Sequence, residues 1–71
     1  MKKTLETKDI SNNIKAERQR AGFTQAEIAE VLKVTRTTYG NWERNPKKLS
    51  YVELEKMASA FGCTVTDFFM V

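Results

Sequence analysis

Histidine is absent from this 71-residue chain, cysteine and proline occur once each, and glycine occurs three times. With no histidine and only Cys63, neither an internal disulfide nor the usual Cys/His zinc set can be assembled. Ser-His-Asp triads and Cys-His dyads are excluded for the same reason. One lone thiol suits a reducing cytoplasm, and Cys63, following the helix-ending Gly62, reads as a small core residue. No apolar run approaches the roughly 18–20 residues a membrane span needs, and no apolar signal segment follows Met1. With no paired inward carboxylates and no Gly-rich phosphate loop, an enzyme is not expected. The expectation is a soluble, cytoplasmic protein with no metal, cofactor, small-molecule ligand or membrane partner.

What the chain does have is a globular balance, 41% hydrophobic and 30% charged residues. Its size suits one small domain, and a domain of about 60 residues buries only about 60% of its unfolded surface, so the core must be efficient. The net charge is only +3, but the excess is local. Residues 33–48 hold Lys33, Arg36, Arg44, Lys47 and Lys48 against Glu43 alone, a net +4, while residues 1–32 carry +1 and residues 49–71 carry −2. A basic middle between near-neutral ends is the footprint of a polyanion-binding face. A solvated charged surface reads equally well on charge alone.

Helix-start signals recur at short intervals. Ser11 precedes a segment in which Ile14 and Ala21 share a face, and Gly22 stops it. Thr24 and Glu27 form a capping-box pattern, opening a helix that carries Ile28, Ala29 and Leu32 inward. Thr35 can cap a helix from Arg36 to about Arg44, which Asn45-Pro46 ends. Ser50 and Glu53 repeat the capping box ahead of the apolar stripe Leu54, Met57, Ala58 and Phe61, closed by Gly62. Thr64 to Asp67 starts a final turn or two. The chain thus reads as five short helices, all-α, with residues 1–9 a loose polar arm and 10–71 the folded domain.

Two charges fall on inward stripes. Arg18 lies between Ile14 and Ala21, and Glu43 lies beside Tyr39 and Trp42. Removing one member of a buried pair typically costs about 3–5 kcal/mol. Opposite charges at inward positions of different helices suggest an ion pair tying the first helix to the third. The alternative is that each snorkels outward separately.

Helices 25–32 and 36–44, joined by Lys33-Val34-Thr35, have helix-turn-helix spacing. With Ile14 to Arg18, Gly22 to Gln25, Ile28-Ala29, Val34 to Arg36, Tyr39 to Glu43 and Ala58 to Gly62 in order, the chain resembles the phage repressor/Cro type of helix-turn-helix protein, the xenobiotic-response-element family. The resemblance spans about residues 12–70 and implies a compact, five-helix, lambda-repressor-like fold. It implies an interhelical pair between the Arg18 and Glu43 positions, in agreement with the reading above. Three positions depart from the family pattern. Lys33 stands at the turn position usually held by glycine, where left-handed geometry costs about 1 kcal/mol. Tyr39 replaces a common aliphatic, and Asn45 replaces a frequent glycine, at a site where asparagine tolerates left-handed geometry.

The resemblance places helix 36–44 in the major groove, with Arg36, Thr37, Gly40 and Asn41 outward. Arg36 is suited to guanine O6/N7, Asn41 to adenine, and the Thr37 methyl to a thymine methyl. Gly40 would let the helix approach the bases closely. Gln25 resembles the family glutamine that anchors a phosphate and braces the recognition helix. Thr38, Arg44, Asn45, Lys47 and Lys48 are candidate phosphate contacts, which position the protein without reading sequence. Phe68, Phe69, Met70 and Val71 are too apolar for a solvated tail; part must cap the core against Phe61 and Val65 and the remainder is a candidate two-fold interface, or all four finish the core. The reading is a Cro-like regulator of phage or mobile-element type, most simply a repressor without a sensor domain, binding double-stranded DNA as a homodimer on a palindrome. The alternative is an antitoxin- or antirepressor-like interaction module that keeps the fold without specific DNA binding.

Overall fold

Reciprocal caps set where the helices begin. A computed structural model describes residues 5–70 and shows α1 at Thr7–Arg20, α2 at Gln25–Leu32, α3 at Arg36–Arg44, α4 at Tyr51–Phe61 and α5 at Val65–Phe68. A single 3-10 turn, Pro46–Lys48, links α3 to α4, and no strand occurs among the described residues. The fold is all-helical. Thr24, Thr35 and Ser50 each accept the backbone N–H three residues on, at 3.1, 3.0 and 3.2 Å. Glu27 and Glu53 return the bond to the Thr24 and Ser50 amides, at 2.8 and 2.9 Å. Asp67 likewise accepts the Thr64 N–H at 2.9 Å.

The first helix departs from expectation. It begins at Thr7 rather than after Ser11, because Glu6 and Asp9 form the capping box more than a turn earlier, with the Glu6 N–H donating to Asp9 at 3.0 Å. Thr7, Lys8 and Asp9 are therefore helical and not part of a loose arm; residues 1–4 lie outside the described residues. The longer helix brings Ile10 into the core one turn ahead of Ile14 and leaves Ser11 buried inside the helix. At the other end Ala21 is exposed, because it caps α1 instead of continuing its inward stripe. Gly22, at φ +86°, turns the chain into α2.

The core joins Ile10 and Ile14 of α1, Ile28 and Ala29 of α2 and Tyr39 of α3 to Leu54, Met57, Ala58 and Phe61 of α4, closed by Phe68. Leu32, Trp42 and Cys63 pack against it half-buried. Burial raises the Cys63 thiol pKa, with the nearby Glu17 and Asp67 carboxylates adding to it, which keeps the thiol protonated. Phe61 and Phe68 meet edge-to-face with ring centroids 6.1 Å apart. The Asn13 amide donates to the Phe68 and Met70 carbonyls at 3.0 and 2.7 Å, holding the end of the described chain on α1.

This arrangement divides the expected C-terminal interface. Phe68 is 0% exposed and belongs to the core, since an aromatic that fills the space between α1 and α4 has no surface left for a partner. Phe69 and Met70 remain 38% and 59% exposed. Val71 lies outside the described residues.

Candidate nucleic-acid interface

The turn between α2 and α3 is built on a left-handed lysine. Lys33 has φ 61° and ψ 40°, and the Val34 N–H reaches back to the Ala29 carbonyl at 2.9 Å, sealing the end of α2. Thr35 then caps α3, and its hydroxyl also donates to the Thr38 hydroxyl at 2.9 Å. Thr38 is consequently half-buried, with its backbone N–H committed to the cap. Asn45, by contrast, ends α3 at φ −126°; the following proline takes the chain directly into the 3-10 turn, so no left-handed residue is needed there.

A buried polar network fixes α3 to the rest of the fold. Arg18 Nε donates to Glu43 Oε2 at 2.9 Å and Nη2 to Oε1 at 3.4 Å, while Nη1 donates to the Phe23 carbonyl at 2.9 Å. Gln25 Nε2 adds a bond to Oε1 at 3.0 Å, and the Tyr39 hydroxyl donates to Oε2 at 2.7 Å. Glu43 is 1% exposed, yet both its oxygens are satisfied. Among the described residues no buried side-chain nitrogen or oxygen lacks a partner. Burial pushes the Glu43 carboxyl pKa up, but hydrogen bonds from Arg18, Tyr39 and Gln25, with the Arg18 charge, outweigh it and hold the net value below 4.5. Burial and then the Glu43 hydrogen bond raise the Tyr39 hydroxyl far above the ordinary tyrosine range, so it stays a donor.

With Tyr39 and Glu43 turned inward, α3 leaves Arg36, Thr37, Asn41 and Arg44 exposed on its outer face. Gly40 sits among them, half-buried. Gln25 faces two depressions. One, at the start of α2, is lined by Arg18, Phe23, Thr24 and Gln25 together with Arg36. The other is a notch where Gln25 meets Gly40 and Arg44. On the opposite flank Asn41, Asn45 and Lys48 share a third depression. Arg44 Nη1 donates to Asn41 Oδ1 at 3.3 Å, and both residues are exposed.

Lys47 is placed differently from its neighbours. Its ammonium donates to the Leu5 carbonyl at 3.4 Å, beside the start of α1 rather than among the groups around Asn41. Lys15, part of the Ile14–Arg18 stretch but not among the candidate site residues, lines the notch with Gln25, Gly40 and Arg44. It lies in the nearly neutral first segment, and only the crossing of α1 over α3 brings it to the basic face. A tether from Arg18 to Glu43 carries the implication that α1 residues one turn from Arg18 lie near α3; that was the available signal.

An amphipathic helix held by a buried ion pair, preceded by a helix and a tight turn and edged with cations, defines a DNA-binding protein of the helix-turn-helix class. The family described as helix-turn-helix matches residues 14–68, and the chain belongs to it, in its Cro/repressor-type form. Over 63 residues the chain is 30% identical to the "Competence pilus inhibition repressor" of Acinetobacter baylyi, covering 89% of this chain and 57% of that protein. The chain thus spans little more than half the length of the curated relative it matches. No solved structure matches it. Among the described residues no helix is long and apolar enough to cross a membrane, and no group of acidic or sulfur ligands could hold a metal ion.

Proposed function

We propose that the protein is a transcriptional repressor that reads double-stranded DNA in the major groove with α3. The observation that carries this is the Arg18–Glu43–Gln25–Tyr39 network, which presents the outer face of α3 rigidly. Preorganised side chains are what base discrimination needs, because one bidentate contact is worth about 1–3 kcal/mol only when it is aimed. On this reading Arg36, Thr37 and Asn41 read bases. Gln25, Thr38, Arg44, Asn45 and Lys48 contact phosphates, and Lys47 serves as a more distant cation. Asn41 Oδ1 uses one lone pair on Arg44 and keeps a second, so Asn41 retains both an acceptor and its amide donors for a bidentate pair with adenine.

The repressor name of the Acinetobacter relative supports the direction of control. A homodimer on a palindromic operator, in the cytoplasm of a bacterial or phage-infected cell, completes the proposal. Exposed Phe69 and Met70 supply apolar surface for the two-fold contact, and Met70→Glu should abolish dimers on DNA while leaving the monomer folded. Selection from a random duplex pool at about 150 mM salt tests the function. Enrichment of a palindrome with half-sites about 34–36 Å apart is expected; a pool that stays random overturns sequence-specific reading. The second reading, an interaction module, is favoured by exposed Val31, Tyr51 and Val52 on α2 and α4, and a random pool would move it ahead.

A further inference from the structure

Between α1, the start of α2 and α3 lies a notch of about 160 Å³ lined by Ser11, Lys15, Gln25, Gly40, Glu43 and Arg44. We propose that this notch seats one phosphate of the DNA backbone, that Lys15 contacts it, and that Gly40 is open to admit it. The inference rests on the DNA-binding reading above and changes the role of Gly40 within it.

The charge balance selects an anion. Lys15 and Arg44 are both exposed at the notch, and neither has an ion-pair partner among the described residues. Glu43 contributes no free negative charge: Arg18 neutralises it, and each carboxylate oxygen already accepts two hydrogen bonds. A neutral floor beneath two cations attracts a phosphate. Gln25 donates one amide hydrogen to Glu43 and retains a second donor at the same wall.

Gly40 has no other structural justification. Its φ is not in the left-handed region, and a Cβ built on it would meet nothing within 4 Å. Packing and backbone geometry both permit alanine, and glycine inside a helix sacrifices helix propensity. The open volume is what glycine provides, and at residue 40 that volume belongs to the notch beside Lys15.

The test is fluorescence anisotropy with a labelled mixed-sequence duplex, titrated in KCl between about 50 and 200 mM. Lys15→Gln is expected to lower affinity about five- to tenfold near 0.1 M salt, equally for every sequence, and to reduce the magnitude of the salt slope by about 0.9. Gly40→Ala is expected to raise the thermal midpoint while weakening binding to all sequences alike. Lys56→Gln on α4, which lines a different groove, should leave the slope nearly unchanged. A Lys15→Gln slope equal to wild type in a protein that binds DNA overturns the notch alone. So does a Gly40→Ala variant that shifts preference at one base pair but keeps its mixed-sequence affinity, since Gly40 would then face a base. A wild-type chain that binds no duplex at any of these salts overturns the DNA reading itself, and this inference with it.

Discussion

Where α1 meets α3 the contact is polar: a guanidinium fork, a carboxylate, a phenol and an amide satisfy one another in the interior. Where α5 meets α1 and α4 it is mostly apolar, with Phe68 seated edge-on against Phe61 and only Asn13 adding directional bonds. Dispersion and burial are nearly non-directional, so the second contact tolerates repacking. Hydrogen bonds to a carboxylate tolerate little displacement, so the first also sets the angle of α3. The helix expected to read bases is thus fastened by the interaction that specifies orientation, and the closing turn by one that specifies only volume.

The comparison breaks most visibly at its polar side. Arg18→Met is expected to lose about 3–5 kcal/mol, because Glu43 would remain buried without its cation. An unchanged urea midpoint would show that the network does not hold the fold. Smaller, and on function alone, Arg36→Ala should cost about 1–3 kcal/mol of binding at one base pair with thermal stability unaltered. Weakening of all sequences equally would instead place Arg36 on a phosphate beside Gln25, in the depression they share.

Conservative changes sharpen the contrast. Met57→Leu in the apolar core is expected to cost less than about 1.5 kcal/mol. Arg18→Lys keeps the charge but loses the planar fork and the bond to the Phe23 carbonyl, so it should cost more. Equal denaturation midpoints for the two would erase the distinction. The smallest effect is on pH dependence. Because the folded Glu43 carboxyl sits below 4.5, its contribution is fully present above that value and is lost as pH falls through the lower folded value. Wild type should therefore lose stability on acidification below about pH 4.5 more steeply than Glu43→Gln, read as urea midpoint against pH.

Much of this was legible because it is local. Thr24 with Glu27, Thr35 with Thr38, and Ser50 with Glu53 close bonds three residues apart, so residue type at fixed spacing is enough to place them. The start of α1 was misplaced because Glu6 and Asp9 cap as well as Ser11 would, and the choice goes to the start that also buries Ile10. Arg18 and Glu43 were legible as a pair for a different reason: a charge on an inward stripe demands compensation wherever its partner lies. Lys15 carried no such demand. An exposed lysine is at home on any helix, and the only local hint of the notch is indirect, the Arg18 tether to α3 one turn away.

The sequence by itself determined the five helices, with every start but that of α1 placed closely, most of the buried stripes, the helix-turn-helix spacing and the ion pair. Tertiary structure alone decided that Phe68 fills the core, that Lys47 turns toward Leu5, and that Lys15 stands over Gly40 beside Arg44. Caps and periodicity act within a few residues, whereas the surface groups that share a groove are set by how whole helices cross. That crossing follows from packing among residues distant in the chain, such as Asn13 with Phe68 and Gln25 with Glu43, which no local pattern encodes.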